Sequence, residues 1–177
     1  MEGGFRHILQ RLPFVVKELH PDNGVEFFNH HLVRIWGEAI TGLTLSRSRP
    51  YQKNDNRFVE QKNATLVRQY FGNIRLDAPE QVQAMNALYE KMWLYYNFFQ
   101  PVMHLEEKVC QADKVVRYWD QAQTPSQRLV ETGVLSCDQQ ARFQALYEQT
   151  NPVALRKEIY RLLEALWEVP TTATNVA

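Results

Sequence analysis

Two short stretches of this chain read as strands, and two strands are too few for a sheet that stands alone. The first is Phe14-Val15-Val16-Lys17-Glu18-Leu19. The second is residues 41–46, with Leu43 and Leu45 on one side. Between them His20-Pro21-Asp22-Asn23-Gly24 is a turn. Phe28, Leu32, Ile35, Trp36 and Ala39 then recur at the spacing of an amphipathic helix over 26–39. A short helix over 2–12, broken at Pro13, precedes this unit, and a helix over 56–70, ended near Gly72, follows it. Any sheet built from two such strands leaves apolar surface without neighbours. The isolated chain is therefore expected to associate or to dissolve poorly.

From residue 77 the pattern reads as nearly all helix. Asp77, followed three residues on by Glu80, predicts a helix start. Val82, Met85, Leu88, Tyr89, Met92, Trp93 and Tyr96 form its apolar stripe, which stops before Pro101. Thr124-Pro-Ser-Gln127 and Ser136-Cys-Asp-Gln139 predict two more capping boxes, and Asn151-Pro152 a cap followed by proline. Leu155, Ile159, Leu162, Leu163 and Leu166 complete a last helix, which Pro170 ends. The expected organisation is a front domain over 1–76, a helical region over 77–170 and a disordered tail over 171–177.

Hydrophobic content of 45% and 177 residues allow a sizeable core. No run reaches the length of a membrane span, and the N-terminus lacks a signal-peptide pattern. Cys110 and Cys137 are isolated and lack metal-ligand spacing, so a cytoplasmic protein with reduced thiols is expected. Net charge is zero, but residues 46–75 hold seven bases against two acids, Asp55 and Glu60. A basic segment in a neutral chain points to an anionic ligand or to a solvated helix face.

Two carboxylates stand out. Asp22 sits just after a strand and Glu60 within the basic helix. A strand end and a helix can bring such groups around a hard cation, and Mg²⁺ is usually held by one or two carboxylates with water and phosphate oxygens. Taken singly, Asp22 is more simply a turn residue and Glu60 a surface group. His30 and His31 are adjacent on a helix and point about 100° apart, which disfavours a shared metal. His20 could tune Asp22 or be a turn residue. The aromatic run from Trp93 to Phe99 could stack bases, though its spacing favours packing.

The neighbouring residues add to this. Asp22-Asn23-Gly24-Val25-Glu26-Phe27 resembles the Asp-Asn-Gly-x-Glu-Phe signature of integrase-core transposases. The stretch 46–56, with Arg49-Pro50-Tyr51, resembles the loop that follows it, and Val59-Glu60-Gln61-Lys62-Asn63 the helix carrying the family's catalytic Glu. Asn97-Phe-Phe-Gln-Pro101 and Thr124-Pro-Ser-Gln-Arg128 extend the likeness more loosely. The resemblance implies an RNase H-like α/β core of three acidic ligands, here an incomplete core with two strands, followed by a mostly helical C-terminal region. It implies Asp22 and Glu60 as catalytic residues and ligands of Mg²⁺ or Mn²⁺, and metal-dependent DNA cleavage and strand transfer. Arg47, Arg49, Lys53, Lys62, Asn63 and Arg68 would face DNA, and Gln61 could touch the backbone as well. DNA is the implied partner, with a second copy or a full-length transposase beside it and no membrane.

The family's first acidic ligand lies on a strand well upstream of Asp-Asn-Gly, whereas Glu2 and Glu18 are the only acids before Asp22 here and neither is placed like it. The chain is therefore expected to be inactive alone. The alternative is a non-catalytic DNA-binding or interaction remnant that modulates a full-length transposase.

Overall fold

Leucines and aromatics at helical spacing, with side-chain caps at the starts of the last three helices, build most of the computed structural model, which describes residues 2–20, 34, 42–46, 48–49, 55, 57–72, 76–111 and 114–169. The chain is mixed α/β, mostly helical, with two small sheets. It divides into two units, Met1–Ile74 and Arg75–Ala177.

In the first unit, α1 (Glu2–Arg11) ends just before Pro13. Strands β1 (Glu18–Leu19) and β2 (Thr44–Leu45) pair in parallel, Glu18 with Thr44 and Leu19 with Leu45. Thr44 N donates to Lys17 O at 2.9 Å and Ser46 N to Leu19 O at 3.1 Å. Both strands are shorter than the β-former runs predict, because only these residues find a partner strand to bond. Parallel strands need a crossover of a dozen or more residues, which residues 20–43 provide. Of the helix expected over 26–39 only Arg34 is described, and it is helical. Helix α2 (Arg57–Lys62) runs into a π-helical turn, Asn63–Arg68, and then α3 (Gln69–Phe71). Gly72 closes this segment at φ 63°, where a side chain would be strained, and its N–H bonds Arg68 O at 2.9 Å.

The second unit is built on two long helices, α4 (Pro79–Phe98) and α7 (Pro152–Glu168). Leu88, Met92 and Phe98 on α4 are buried, as are Leu155, Ile159, Leu163 and Leu166 on α7, while Leu162 is half-buried. Each such side chain contributes about 1.5–3 kcal/mol by leaving water. The expected Asp77 cap is displaced by one residue. Ala78 holds the N-cap position, and the buried Gln81 carbonyl accepts from the N–H groups of Asp77 (2.9 Å) and Ala78 (3.0 Å). Gln81 also donates to Val169 O at 3.4 Å, tying the start of α4 to the end of α7. Helices α5 (Pro125–Glu131) and α6 (Cys137–Gln149) begin at the capping boxes of Thr124 and Ser136, and Asn151 caps α7 through Val153 N and Ala154 N. The aromatic run packs: Phe98 lies 5.1 Å from Phe143, and Phe99 stacks on Tyr147 at 5.3 Å. Pro170 and the tail over 171–177 lie outside the described residues.

One correction concerns the connection from α4 to α5. It is not helical but an antiparallel hairpin, β3 (Leu105–Gln111) and β4 (Lys114–Trp119), with a bulge between Leu105 and Glu107. Its base is pinned by Arg128 of α5. The guanidinium donates to both Asp120 oxygens (2.6 and 3.1 Å) and to the carbonyls of Val102 (2.9 Å) and Gln121 (3.0 Å). Asp120 also accepts from His104 N at 2.6 Å.

Truncating Leu88, which has no exposed surface, to alanine is expected to lower the unfolding free energy in urea by about 3 kcal/mol. Arg128 and the His104 N–H hold the Asp120 carboxyl below its ordinary value. Its contribution is thus present above the unfolded-state pKa near 4 and lost as pH falls through the folded value. Melting curves of the wild type and Asp120→Asn should therefore differ at pH 7 and converge as the solution is acidified below about pH 4.

Candidate metal and DNA-binding site

Strand pairing in the first unit draws together four side chains far apart in sequence. Ser46 Oγ donates to the Glu18 carboxylate. Having used its proton there, Ser46 can only accept from His20 Nδ1, 2.7 Å away. The His20 proton is thereby assigned to Nδ1, and Nε2 lies 3.1 Å from the hydroxyl of Ser48, which is buried. In the neutral imidazole Ser48 is the donor. This Glu18–Ser46–His20–Ser48 chain anchors the backbone leaving β1 two residues before Asp22. The His20 ring forms a clasp between the two strands' ends; Asp22, which it could tune, lies outside the described residues. No local sequence signal announces the clasp, since the partners are 26 and 28 residues apart.

After β2, Arg49 and Asp55 form an ion pair. The guanidinium grips the carboxylate in two-pronged fashion, Nε to Oδ2 at 3.0 Å and Nη2 to Oδ1 at 2.9 Å, and Arg49 N adds a third bond at 3.0 Å. These bonds hold the Asp55 carboxyl far below the ordinary carboxylate range and raise the Arg49 guanidinium further. Arg49 is expected to face phosphate, but its guanidinium is already occupied and would have to leave Asp55 to do so. Opposite charges flanking a proline loop were the available signal for this pair.

Glu60 is exposed on α2 and, among the described residues, makes no ion pair. An α-helix advances 100° per residue, so Asn63 leaves from the Glu60 side and Lys62 from nearly the opposite side. Continued as an α-helix, the segment would carry Arg68 about 80° round from Glu60. The wider π turn over Asn63–Arg68 advances less per residue and brings Arg68 back toward that side. Within this turn Thr65 Oγ1 donates to Gln61 O at 2.9 Å. Glu60, Asn63 and Arg68 thus share one side, and Lys62 does not. Asp22, His30, His31, Arg47 and Lys53 lie outside the described residues, and among the described ones no group of three or more His, Cys, Asp or Glu side chains could hold a metal. Cys110 and Cys137 are exposed free thiols. No described helix is long and apolar enough to cross a membrane.

No protein-family model matches the chain. Over 105 residues it is 40% identical to the uncharacterized protein y4rM of Sinorhizobium fredii. That match covers 59% of this chain and 29% of the relative, so the chain spans under a third of the relative's length. No solved structure matches.

Asp55→Asn should release Arg49 from its two-pronged grip. If Arg49 reaches phosphate once free, DNA affinity measured by fluorescence polarisation rises and the slope of log affinity against log salt steepens by about 0.9. Unchanged affinity and slope would remove Arg49 from the DNA-facing set.

Proposed function

We propose that residues 20–68 form the metal- and DNA-contacting part of an integrase-type transposase core with an RNase H-like fold. The observation that carries this reading is the ordered set of motifs, Asp22-Asn-Gly, Arg49-Pro-Tyr and Val59-Glu60-Gln-Lys-Asn. Three features of the geometry support it. Strands β1 and β2 pair in parallel. Strand β1 ends at Leu19, three residues before Asp22. Glu60 stands exposed on a helix side that it shares with Asn63 and Arg68.

In this reading Asp22 and Glu60 hold a divalent ion, Mg²⁺ or Mn²⁺. Both are hard oxygen donors, suited to such ions with water and phosphate completing the shell. The bound metal would supply activation of an attacking oxygen and stabilisation of a leaving one. Arg68 and Asn63 hold the DNA backbone beside it, a contact that positions the strand and carries no sequence choice. The His20 clasp holds the backbone that leads into Asp22. The resemblance calls for one further acidic ligand on a strand, which residues 1–21 do not carry. Metal binding is the property that tests Asp22 and Glu60 directly.

Mn²⁺ binding, followed by electron paramagnetic resonance on the full chain without DNA, tests the reading. Asp22→Asn and Glu60→Gln should each weaken binding about tenfold or more, equivalent to about 1.4 kcal/mol, while Glu80→Gln leaves it unchanged. Equal binding by all variants would end the assignment. With DNA, Arg68→Ala should flatten the salt slope by about 0.9 and Lys62→Ala by less.

A further inference from the structure

The hairpin β3–β4 takes little part in packing. Val109 and Val116, register partners, are its half-buried side chains on one face, where Glu107 pairs with Tyr118. The other face carries Lys108 and Cys110 from β3 and Val115, Arg117 and Trp119 from β4. All five are exposed, Val115 by 49% and Trp119 by 51%. Lys108 and Arg117 are themselves register partners, so two cations stand directly across the ribbon. Like charges in that position destabilise a strand pair. Neither forms an ion pair among the described residues.

The described acids nearby form no ion pair with either cation. Glu107 belongs to the other face, Glu106 precedes Lys108 by two residues at the bulge and pairs with neither cation, and Asp120 is engaged by Arg128; Asp113 lies outside the described residues. A ribbon that keeps an unneutralised cation pair beside an exposed indole is stabilised by an anion set between the cations. A two-stranded ribbon also has the width that the major groove of DNA admits.

We propose that this face of the hairpin is a DNA contact, with Lys108 and Arg117 straddling a backbone phosphate and Trp119 lying against the neighbouring nucleotide. It lies outside residues 20–68 and needs no divalent ion, so it stands or falls separately from the metal reading, which Mn²⁺ binding without DNA reports.

The test is fluorescence polarisation of a labelled mixed-sequence duplex with the full chain, in the absence of divalent metal. The double variant Lys108→Ala/Arg117→Ala should bind about tenfold more weakly at low salt. Its salt slope should be shallower by about 1.8, at about 0.9 per lost contact. Its melting temperature should hold or rise, because the repulsion is gone. The exchange Lys108→Arg/Arg117→Lys should keep the affinity. Should the alanine pair fail to fold, tryptophan quenching by the duplex is compared between wild type and Trp119→Phe, and loss of the quench in the variant supports the contact. The proposal is overturned if the wild type does not bind the duplex, or if the alanine pair binds with unchanged affinity and slope. It is also overturned if the exchange variant loses binding as fully as the alanine pair, if the quench survives Trp119→Phe, or if sedimentation shows the alanine pair altering only self-association.

Discussion

A parallel ladder of two residue pairs governs the first unit. Pairing Glu18 with Thr44 and Leu19 with Leu45 excludes a tight turn between the strands, because parallel neighbours cannot be joined by one. It also decides which side chains meet beyond the strand ends. In this register His20 falls between Ser46 and Ser48, and Ser46 reaches back to Glu18. A slip of one residue would turn each strand's side chains to the opposite face and break every link of that hydrogen-bond chain. So few ladder bonds hold little by themselves, and the polar clasp supplies specificity that burial does not: Leu19 and Leu45 are only half-buried.

The second unit solves a different problem. Its apolar stripes on α4 and α7 bury each other, and Gln81 locks the register at one end by serving two orphan N–H groups and one carbonyl. The hairpin has no such core beneath it. It is held at its base, where Arg128 offers a planar fork of donors to one carboxylate and two carbonyls. Lysine, a point charge with no fork, cannot reproduce that set. The ribbon beyond that base is free to present its faces to a ligand.

What could be read from the sequence follows from how locally each feature is encoded. The caps at Thr124, Ser136 and Asn151 were legible because a side chain there bonds the backbone two or three residues on. The leucine stripe of α7 was legible because periodicity records burial, and four of its five named positions are buried. The hairpin did carry a signal, the β-formers Val115, Val116, Tyr118 and Trp119, but with only Val109 and Val116 half-buried among its described side chains its two faces are not set apart by an apolar alternation. Asp77 looked like a cap by residue type, yet Pro79 at the first helical position moves the cap to Ala78 and hands the work to Gln81. In the candidate site, Asp22 and Glu60 are singled out by motifs alone, and Asp22 lies outside the described residues. The Glu18–Ser46–His20–Ser48 chain and the π turn were not legible, since one depends on contacts across 26 and 28 residues and the other has no compositional mark.

The basic segment over 46–75 illustrates how structure divides a charge that composition only counts. Arg49 is spent on Asp55, and Lys62 leaves α2 from the side away from Glu60. Arg68 would also have drifted off that side had the helix stayed regular. A π turn is uncommon; here its smaller advance per residue brings a cation back toward the side that carries Glu60 and Asn63. A metal-bound carboxylate and a backbone phosphate attract the same cation, so a guanidinium on the carboxylate side serves both. The irregularity in the helix thus changes the side from which Arg68 leaves it, a distinction that the local excess of positive charge does not record.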